Sequence, residues 1–514
     1  MSHFEITGGV ALHGEVRVSG AKNAALPIMA AAILADGPVR LENVPRLIDV
    51  RTQAQVLRCL GMRVVITSSI SPRPVAAPGS ANTSRGLMAD RNVCPTMILE
   101  TVDPTPVRAR DALVRRMRAS FCVLGPLLAR RGRAVVPLPG GCNIGNRPVD
   151  LHLKGLAALG AEIRLEHGYV VAKARRLAGA TIDLRGPDGP TVTGTANVLS
   201  AAVLARGTTI IHGAAVEPEI VDLGNFLTAL GARITGLATP TIRIEGVEQL
   251  GGAVHRLIPD RIEAATLLMA AAITRGSATV AGVVPGHMAA VLETLQAAGA
   301  TIDVVSAMER RVPCPRLPWA CDSPIEASNM PTASVGMAPE EGRVTLRAVD
   351  RFRAADIVAR PYPGIPTDLQ AQWTALLALA DGASTVRDRV FPGRFMHVAE
   401  LNRLGARIEC HNGTAAIAGV PRLSGARVVA SDLRASAALV LAGLAADGRT
   451  IVDRADHLDR GYERLERKLC QLGARIERVI DQPSNSAMPS PAAASFSVAS
   501  RLASGHPVRR ASSR

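Results

Sequence analysis

Six times along the chain, a run of apolar residues at helical spacing ends in a glycine and passes into residues that alternate between apolar and polar. The phrases are LRCLGMRVVI (57–66), LAALGAEIRL (156–165), LTALGARITG (227–236), LQAAGATIDV (295–304), LNRLGARIEC (401–410) and LCQLGARIER (469–478). A glycine just past the last helical turn, followed by a period-two stretch, predicts helix, left-handed cap and strand in that order. A second phrase precedes each of these, an Ala- and Leu-rich helix closed by Gly37, Gly132, Gly207, Gly276, Gly382 or Gly448 and followed by a β-branched strand. The glycines of the two phrases lie 24, 28, 24, 23, 23 and 25 residues apart, so the two phrases define one folding unit, repeated six times in an α/β chain.

Successive units begin 95, 75, 69, 106 and 66 residues apart, which leaves extra sequence after the first and fourth. The extra residues fall at about 67–112 and 305–362, where Pro, Ser, Ala and Arg break the period, and surface excursions are expected there. Beyond Ile480 the chain becomes low in complexity and has no acidic residue after Asp481; residues 481–514 are expected to form a tail without fixed structure.

With 514 residues, 47% of them hydrophobic, the chain has ample material for more than one core. Its net charge of +15 invites an anionic partner, but the kind of cation changes that picture. Only Lys22, Lys154, Lys173 and Lys468 are lysines against 55 arginines, and none follows a glycine, so a P-loop is excluded. No Gly-x-Gly-x-x-Gly opens a helix, and twelve aromatics scattered over the chain do not supply the stacking platforms of RNA-binding modules. The eight cysteines have no Cys-x-x-Cys spacing, which argues against a disulfide framework or zinc site. MSHFEITGG lacks a signal-like basic and apolar sequence, and the longest apolar runs, such as 25–35, fall short of a membrane span; a soluble cytoplasmic protein is expected.

Candidate chemistry lies in segments that break the repeat. VSGAKNAALP (18–27) sets Lys22 and Asn23 at a helix start, a suitable place for a compact phosphate or carboxylate, although a solvated lysine is the plainer reading. In VPLPGGCNIGNRPVDLHLKGL (136–156), glycines flank Cys142 and Arg147 follows, an arrangement that favours an exposed, reactive thiolate. Pro361, Pro363 and Pro366 force an extended approach to Thr367 and Asp368, where the aspartate reads first as a helix cap. Arg394 and Arg460 each stand at a loop-to-helix junction, which suits anion binding and ordinary salt bridges equally well.

Assembled, these stretches resemble the family of enolpyruvyl transferases that act on UDP-N-acetylglucosamine. SGAKNAALP, PLPGGCNIGNRPVDLH, EPEIVD (217–222), PDRIE (259–263), PTDLQAQ (366–372), RFMHVAEL (394–401), DLRASAALVLAG (432–443) and DRGYERLERKL (459–469) carry the likeness, which runs from residue 4 to about 480. The resemblance implies two inside-out α/β barrels, each of three units, with the substrate cleft between them. Residues 22–257 would form one barrel, and residues 1–21 with 258–480 the other. It implies transfer of the enolpyruvyl group of phosphoenolpyruvate to the sugar 3-hydroxyl, with phosphate released through a tetrahedral ketal, as the first committed step of peptidoglycan precursor synthesis and hence of cell-wall growth, cell shape and division.

By the same resemblance Lys22, Arg147 and Arg460 would hold phosphoenolpyruvate, with Arg118 and Arg394 adding positive charge. Asp368 would be the general base at the sugar hydroxyl, and Cys142 the proton donor and the residue alkylated by fosfomycin. Asn23, Arg147, Pro148, Val149, Asp150, Leu151, Pro190, Thr191, Val192, Val390 and Asp432 would contact substrate. No metal, organic cofactor, nucleic acid or membrane insertion is implied.

The chain departs from the family pattern at Ala196, Val216 and Gly393, none of them a proposed catalytic group. Two alternatives stay open: a divergent, non-catalytic paralogue that binds nucleotide sugar as a sensor, and the shikimate-pathway enolpyruvyl transferase. The cysteine loop argues against the second. Nucleic-acid binding through the tail has little support, because its four arginines are spread over 501–514.

Overall fold

The computed structural model describes residues 2–68, 95–140, 148–187, 189–306 and 340–480. The chain is α/β, with small mixed sheets around buried helices. Five of the sheets share one plan. In the sheet built on Ser277–Val283, His13–Arg17 runs parallel on one side, Gly342–Arg347 antiparallel on the other, and Thr301–Val305 pairs antiparallel beyond that. The same order recurs around Val39–Glu42, Thr208–His212, Ala383–Asp388 and Arg449–Asp453. The sheet of Arg133–Pro137, Tyr169–Lys173 and Glu162–Glu166 has three strands.

These pairings correct the expected excursions. Pro95–Thr101 lies within the first and is the hairpin partner of Met62–Ser68; Gly342–Arg347 lies within the second and is the partner of Thr301–Val305. The extra sequence therefore falls between hairpin strands, at 69–94 and 307–339, which, like the tail 481–514, lie outside the described residues. An insertion between hairpin strands leaves the ladder on either side intact, and its loop-closure cost grows only slowly with length. In the sheet of Arg449–Asp453, the N-terminal strand Ser2–Thr7 takes the partner position beside Arg475–Ile480.

The helices that matter for the site are α1 (Lys22–Ala31), α2 (Ile48–Cys59), α3 (Val192–Ala202), α4 (Arg261–Ile273), α5 (Gln370–Leu377) and α6 (Leu433–Ala445). α1 is buried at every position but Asn23, α4 at every position but Arg261, and α5 throughout. A helix that is apolar on all sides belongs inside. Sheet strands such as Thr241–Glu245 alternate exposed and buried residues, which is the pattern of a sheet with one wet face. All six glycines of the Leu-Gly phrases, such as Gly61 and Gly299, have φ between +80° and +124°, where a side chain would be strained.

Apolar burial gathers into two cores. One is built from residues between Ala21 and Ile258, the other from Phe4–Val18 and Ile262–Ile476. The chain crosses between them twice, at 19–21 and 258–260. There the two segments run antiparallel, with Ala21 N–H donating to Ile258 O at 2.7 Å and Asp260 N–H to Ser19 O at 2.9 Å. Lys468, one of the four lysines, locks this crossing from within by donating to Glu263 Oε1 at 2.7 Å and Ser19 Oγ at 2.8 Å.

Candidate active site

The N-termini of α1, α4 and α6, with the turn that leads into α5, meet where the two cores face each other. Asp260 caps α4 through the N–H groups of Ile262 (2.8 Å) and Glu263 (3.0 Å), and its other oxygen accepts from the Lys22 N–H at 3.2 Å. Asp432 caps α6 through Arg434 N–H at 2.7 Å and Ala435 N–H at 3.1 Å. Each such end presents free N–H groups and a partial positive charge, so the region favours anions before any side chain is counted.

Asp368 lies at the centre. It makes no helix-capping bond; its carboxylate accepts from Arg394 Nη1 (3.0 Å), Arg434 Nη2 (3.1 Å) and Asn23 Nδ2 (3.4 Å). Burial alone would raise its pKa, but Arg434, Arg394 and Lys22 outweigh burial and hold the carboxyl far below the usual carboxylate range. Arg394 is fixed in turn by Thr367 O (3.2 Å) and Thr367 Oγ1 (3.3 Å), and it stands 3.9 Å from Asp432. Thr367 donates to Asp388 Oδ2 at 2.6 Å, and Asp388 also accepts from Val390 N–H at 2.8 Å, which fixes the half-buried Val390 beside the site.

A second cluster adjoins the first. Lys22 Nζ donates to Asp49 Oδ2 at 3.3 Å, and Arg460 Nε to Asp49 Oδ1 at 2.9 Å; Arg460 Nη2 reaches Arg116 O at 3.3 Å. Two residues along, Arg118 Nη2 donates to Pro148 O at 2.9 Å, which anchors the start of the segment Pro148–Leu151. Thr191 caps α3 by accepting from Gly194 N–H at 3.2 Å, and Pro190 pairs with Arg185 in a two-stranded ribbon. The structure thus gathers Lys22, Asn23, Asp368, Arg394, Asp432 and Arg460 into one charged region, with Arg118 and Pro148 joined through the Arg116 backbone. Cys142 and Arg147 lie outside the described residues. Among the described residues, no group of three or more His, Cys, Asp or Glu side chains could hold a metal ion.

Sequence reasoning passed over Asp49 and Arg434. Arg434 is only 1% exposed, its guanidinium lies 4.9 Å from the centre of the Tyr462 ring, and the Tyr462 hydroxyl is held by Gln372 Nε2 (3.0 Å) and Thr266 (3.1 Å). The available signal was an arginine in the first turn of an otherwise apolar helix, since arginine is almost never fully buried without a partner. Asp49, 3% exposed, reads in sequence as an ordinary acidic residue of a helical first turn.

The nearby histidines are kept neutral. His152 accepts from or donates to Asn197 (2.9 Å) and Thr193 (3.1 Å), and burial pushes its pKa down to about 3; burial likewise lowers His397, beside Arg394, to about 4. Between pH 6.5 and these values the unfolded chain binds protons at these two histidines that the folded chain does not, so the stability linked to them is complete above about 6.5 and falls on acidification by about 1.4 kcal/mol per pH unit for each. Thermal unfolding from pH 7 to pH 5 is expected to show a falling midpoint, and His152→Gln should flatten that fall. An unchanged slope in the variant would remove this explanation.

The sequence profile of the family described as EPSP synthase (3-phosphoshikimate 1-carboxyvinyltransferase) matches residues 6–84 and 98–469. A UDP-N-acetylglucosamine 1-carboxyvinyltransferase 2 of Carboxydothermus hydrogenoformans is 46% identical over 481 residues, covering 94% of this chain and 100% of that protein. A UDP-N-acetylglucosamine 1-carboxyvinyltransferase of Myxococcus xanthus is 47% identical over 478 residues, covering 93% and 99%. Among solved structures, the enolpyruvyl transferase NikO of Streptomyces tendae superposes with a TM-score of 0.73 at 26% identity, covering 93% of this chain and 98% of that one. EPSP synthase of Acinetobacter baumannii, at 18% identity and a TM-score of 0.65, shares the fold over 93% of this chain and 100% of its own.

Proposed function

The chain belongs to the EPSP synthase family of enolpyruvyl transferases, and from that premise we propose that it performs the reaction for which its full-length relatives are named. It is a transferase of peptidoglycan precursor synthesis that moves the enolpyruvyl group of phosphoenolpyruvate onto UDP-N-acetylglucosamine and releases phosphate. The observation that carries this reading is the convergence of Lys22, Asn23, Asp368, Arg394, Arg434 and Arg460 at one set of helix N-termini. Four cations, Lys22, Arg394, Arg434 and Arg460, set among converging helix N-termini suit a donor with both phosphate and carboxylate, beside an acceptor with a diphosphate. The two cores support a two-barrel organisation, 22–257 and 1–21 with 258–480, each barrel of three units. A cytoplasmic setting suits a nucleotide-sugar acceptor.

The chemistry needs a proton removed from the sugar 3-hydroxyl, a proton delivered to the donor methylene, and stabilised anionic oxygens. Asp368 accepts the hydroxyl proton as that oxygen bonds to C2 of the donor, while Cys142 protonates C3, giving the tetrahedral ketal. The C2–O bond to phosphate then breaks, C3 loses a proton, and the enol ether is restored. By itself Asp368 is a weak base, because the cations around it outweigh burial. The donor's negative charge offsets those cations and raises its basicity when both substrates are in place. Fixed guanidinium and ammonium groups supply positioning and charge stabilisation without reorganisation. Pro148–Leu151, Pro190–Val192 and Val390 would contact the nucleotide sugar, and Asp432 would act through its cap on α6 and its nearness to Arg394.

Phosphate release from phosphoenolpyruvate, measured with and without UDP-N-acetylglucosamine in wild type and Cys142→Ala, tests this reading. Release should require the nucleotide sugar and collapse in the variant. Nucleotide-sugar binding without release would favour the sensor instead.

A further inference from the structure

Asp49 makes an arrangement that the reaction as described does not use. It lies in the first turn of α2, in the first core, and is 3% exposed, a costly place for a carboxylate unless the contacts it makes repay the lost hydration. Its two oxygens take two different cations: Lys22 Nζ at 3.3 Å, from α1 of the same core, and Arg460 Nε at 2.9 Å, from the turn Ala455–Arg460 of the other core. A neighbouring bond repeats the connection, with Arg46 N–H donating to Glu463 Oε2 at 3.1 Å. Arg460 thus reaches across to the first core and is held there.

We propose that Asp49 is a positioning residue for the enolpyruvyl donor: its carboxylate fixes the Lys22 ammonium and the Arg460 guanidinium at one point, so that a pair of cations from the two cores is assembled before the donor's anionic groups arrive. The inference rests on the function proposed above. Without Asp49, two like charges drawn from separate cores repel, and two long side chains regain their rotamer freedom, which the donor must then overcome on binding. Charge alone predicts the reverse, because deleting a negative group beside an anion site strengthens anion binding. The sign of the change in donor affinity therefore separates positioning from simple charge.

Steady-state phosphate release by the full chain, with each substrate varied in turn, should show KM for phosphoenolpyruvate raised about tenfold or more in Asp49→Asn, the size of losing one charge-assisted hydrogen bond. The calorimetric Kd for UDP-N-acetylglucosamine should stay within about twofold, and Asp49→Glu, which keeps the charge, within about threefold of wild-type KM. A KM that is unchanged or lower in Asp49→Asn overturns the proposal. So does a parallel loss of nucleotide-sugar affinity, or an Asp49→Glu enzyme as impaired as the asparagine variant. Wild type without nucleotide-sugar-dependent release would instead overturn the function on which the proposal stands.

Discussion

Asp368→Asn is expected to lower kcat for nucleotide-sugar-dependent phosphate release by about 10²–10⁴-fold, the range of a positioned proton acceptor. Asparagine keeps the size of the side chain and one acceptor oxygen, which can serve either Arg394 or Arg434 but not both, so the nucleotide sugar should bind with less change than the rate. What is lost is the carboxylate that accepts from Asn23, Arg394 and Arg434 and can take up a proton. Calorimetry beside single-turnover rates separates the two effects. Equal losses in binding and rate would mean that Asp368 serves only to hold the site together.

Arg434→Met should impair both stability and rate. The guanidinium is 1% exposed and pairs with Asp368, which is itself about a quarter exposed, so removing one partner is expected to cost about 3 kcal/mol, the lower end for a broken buried pair. The rate effect has a defined sign. Arg434 is the largest of the influences that lower the Asp368 pKa, so its loss moves that pKa upward and shifts the acidic limb of the kcat/KM profile to higher pH. Stability linked to Asp368 is complete above the ordinary carboxylate pKa near 4 and is lost only as pH falls below it. The histidine-linked decline between pH 6.5 and 5 is separate from it and should persist in Arg434→Met. A variant with wild-type stability and an unmoved profile would contradict the role given to this residue.

The parts that were legible in the sequence are those that local rules write. A glycine past a helix followed by alternating residues needs no distant partner to be recognised, and the scarcity of lysine in the composition singles out Lys22. The strand Pro95–Thr101 falls within the expected excursion because its identity as a strand depends on pairing with Met62–Ser68 across intervening sequence that has no period. Ser2–Thr7 likewise gains its place from residues more than 440 positions away. Asp368 read first as a helix cap, since only the fold brings Arg434 to it, across 66 positions. Asp49 carried no signal, because its meaning is a contact with Arg460, 411 residues distant. Arg434 was hidden by the abundance of arginine.

This charged junction is proposed to join phosphoenolpyruvate and UDP-N-acetylglucosamine. Incubation of the wild-type chain with phosphoenolpyruvate and UDP-N-acetylglucosamine, followed by mass spectrometry of the nucleotide sugar and a phosphate assay on the same sample, tests it most directly. One enolpyruvyl ether of UDP-N-acetylglucosamine should appear for each phosphate released. Phosphate released without that ether, or nucleotide sugar recovered unchanged under saturating conditions, would contradict the account.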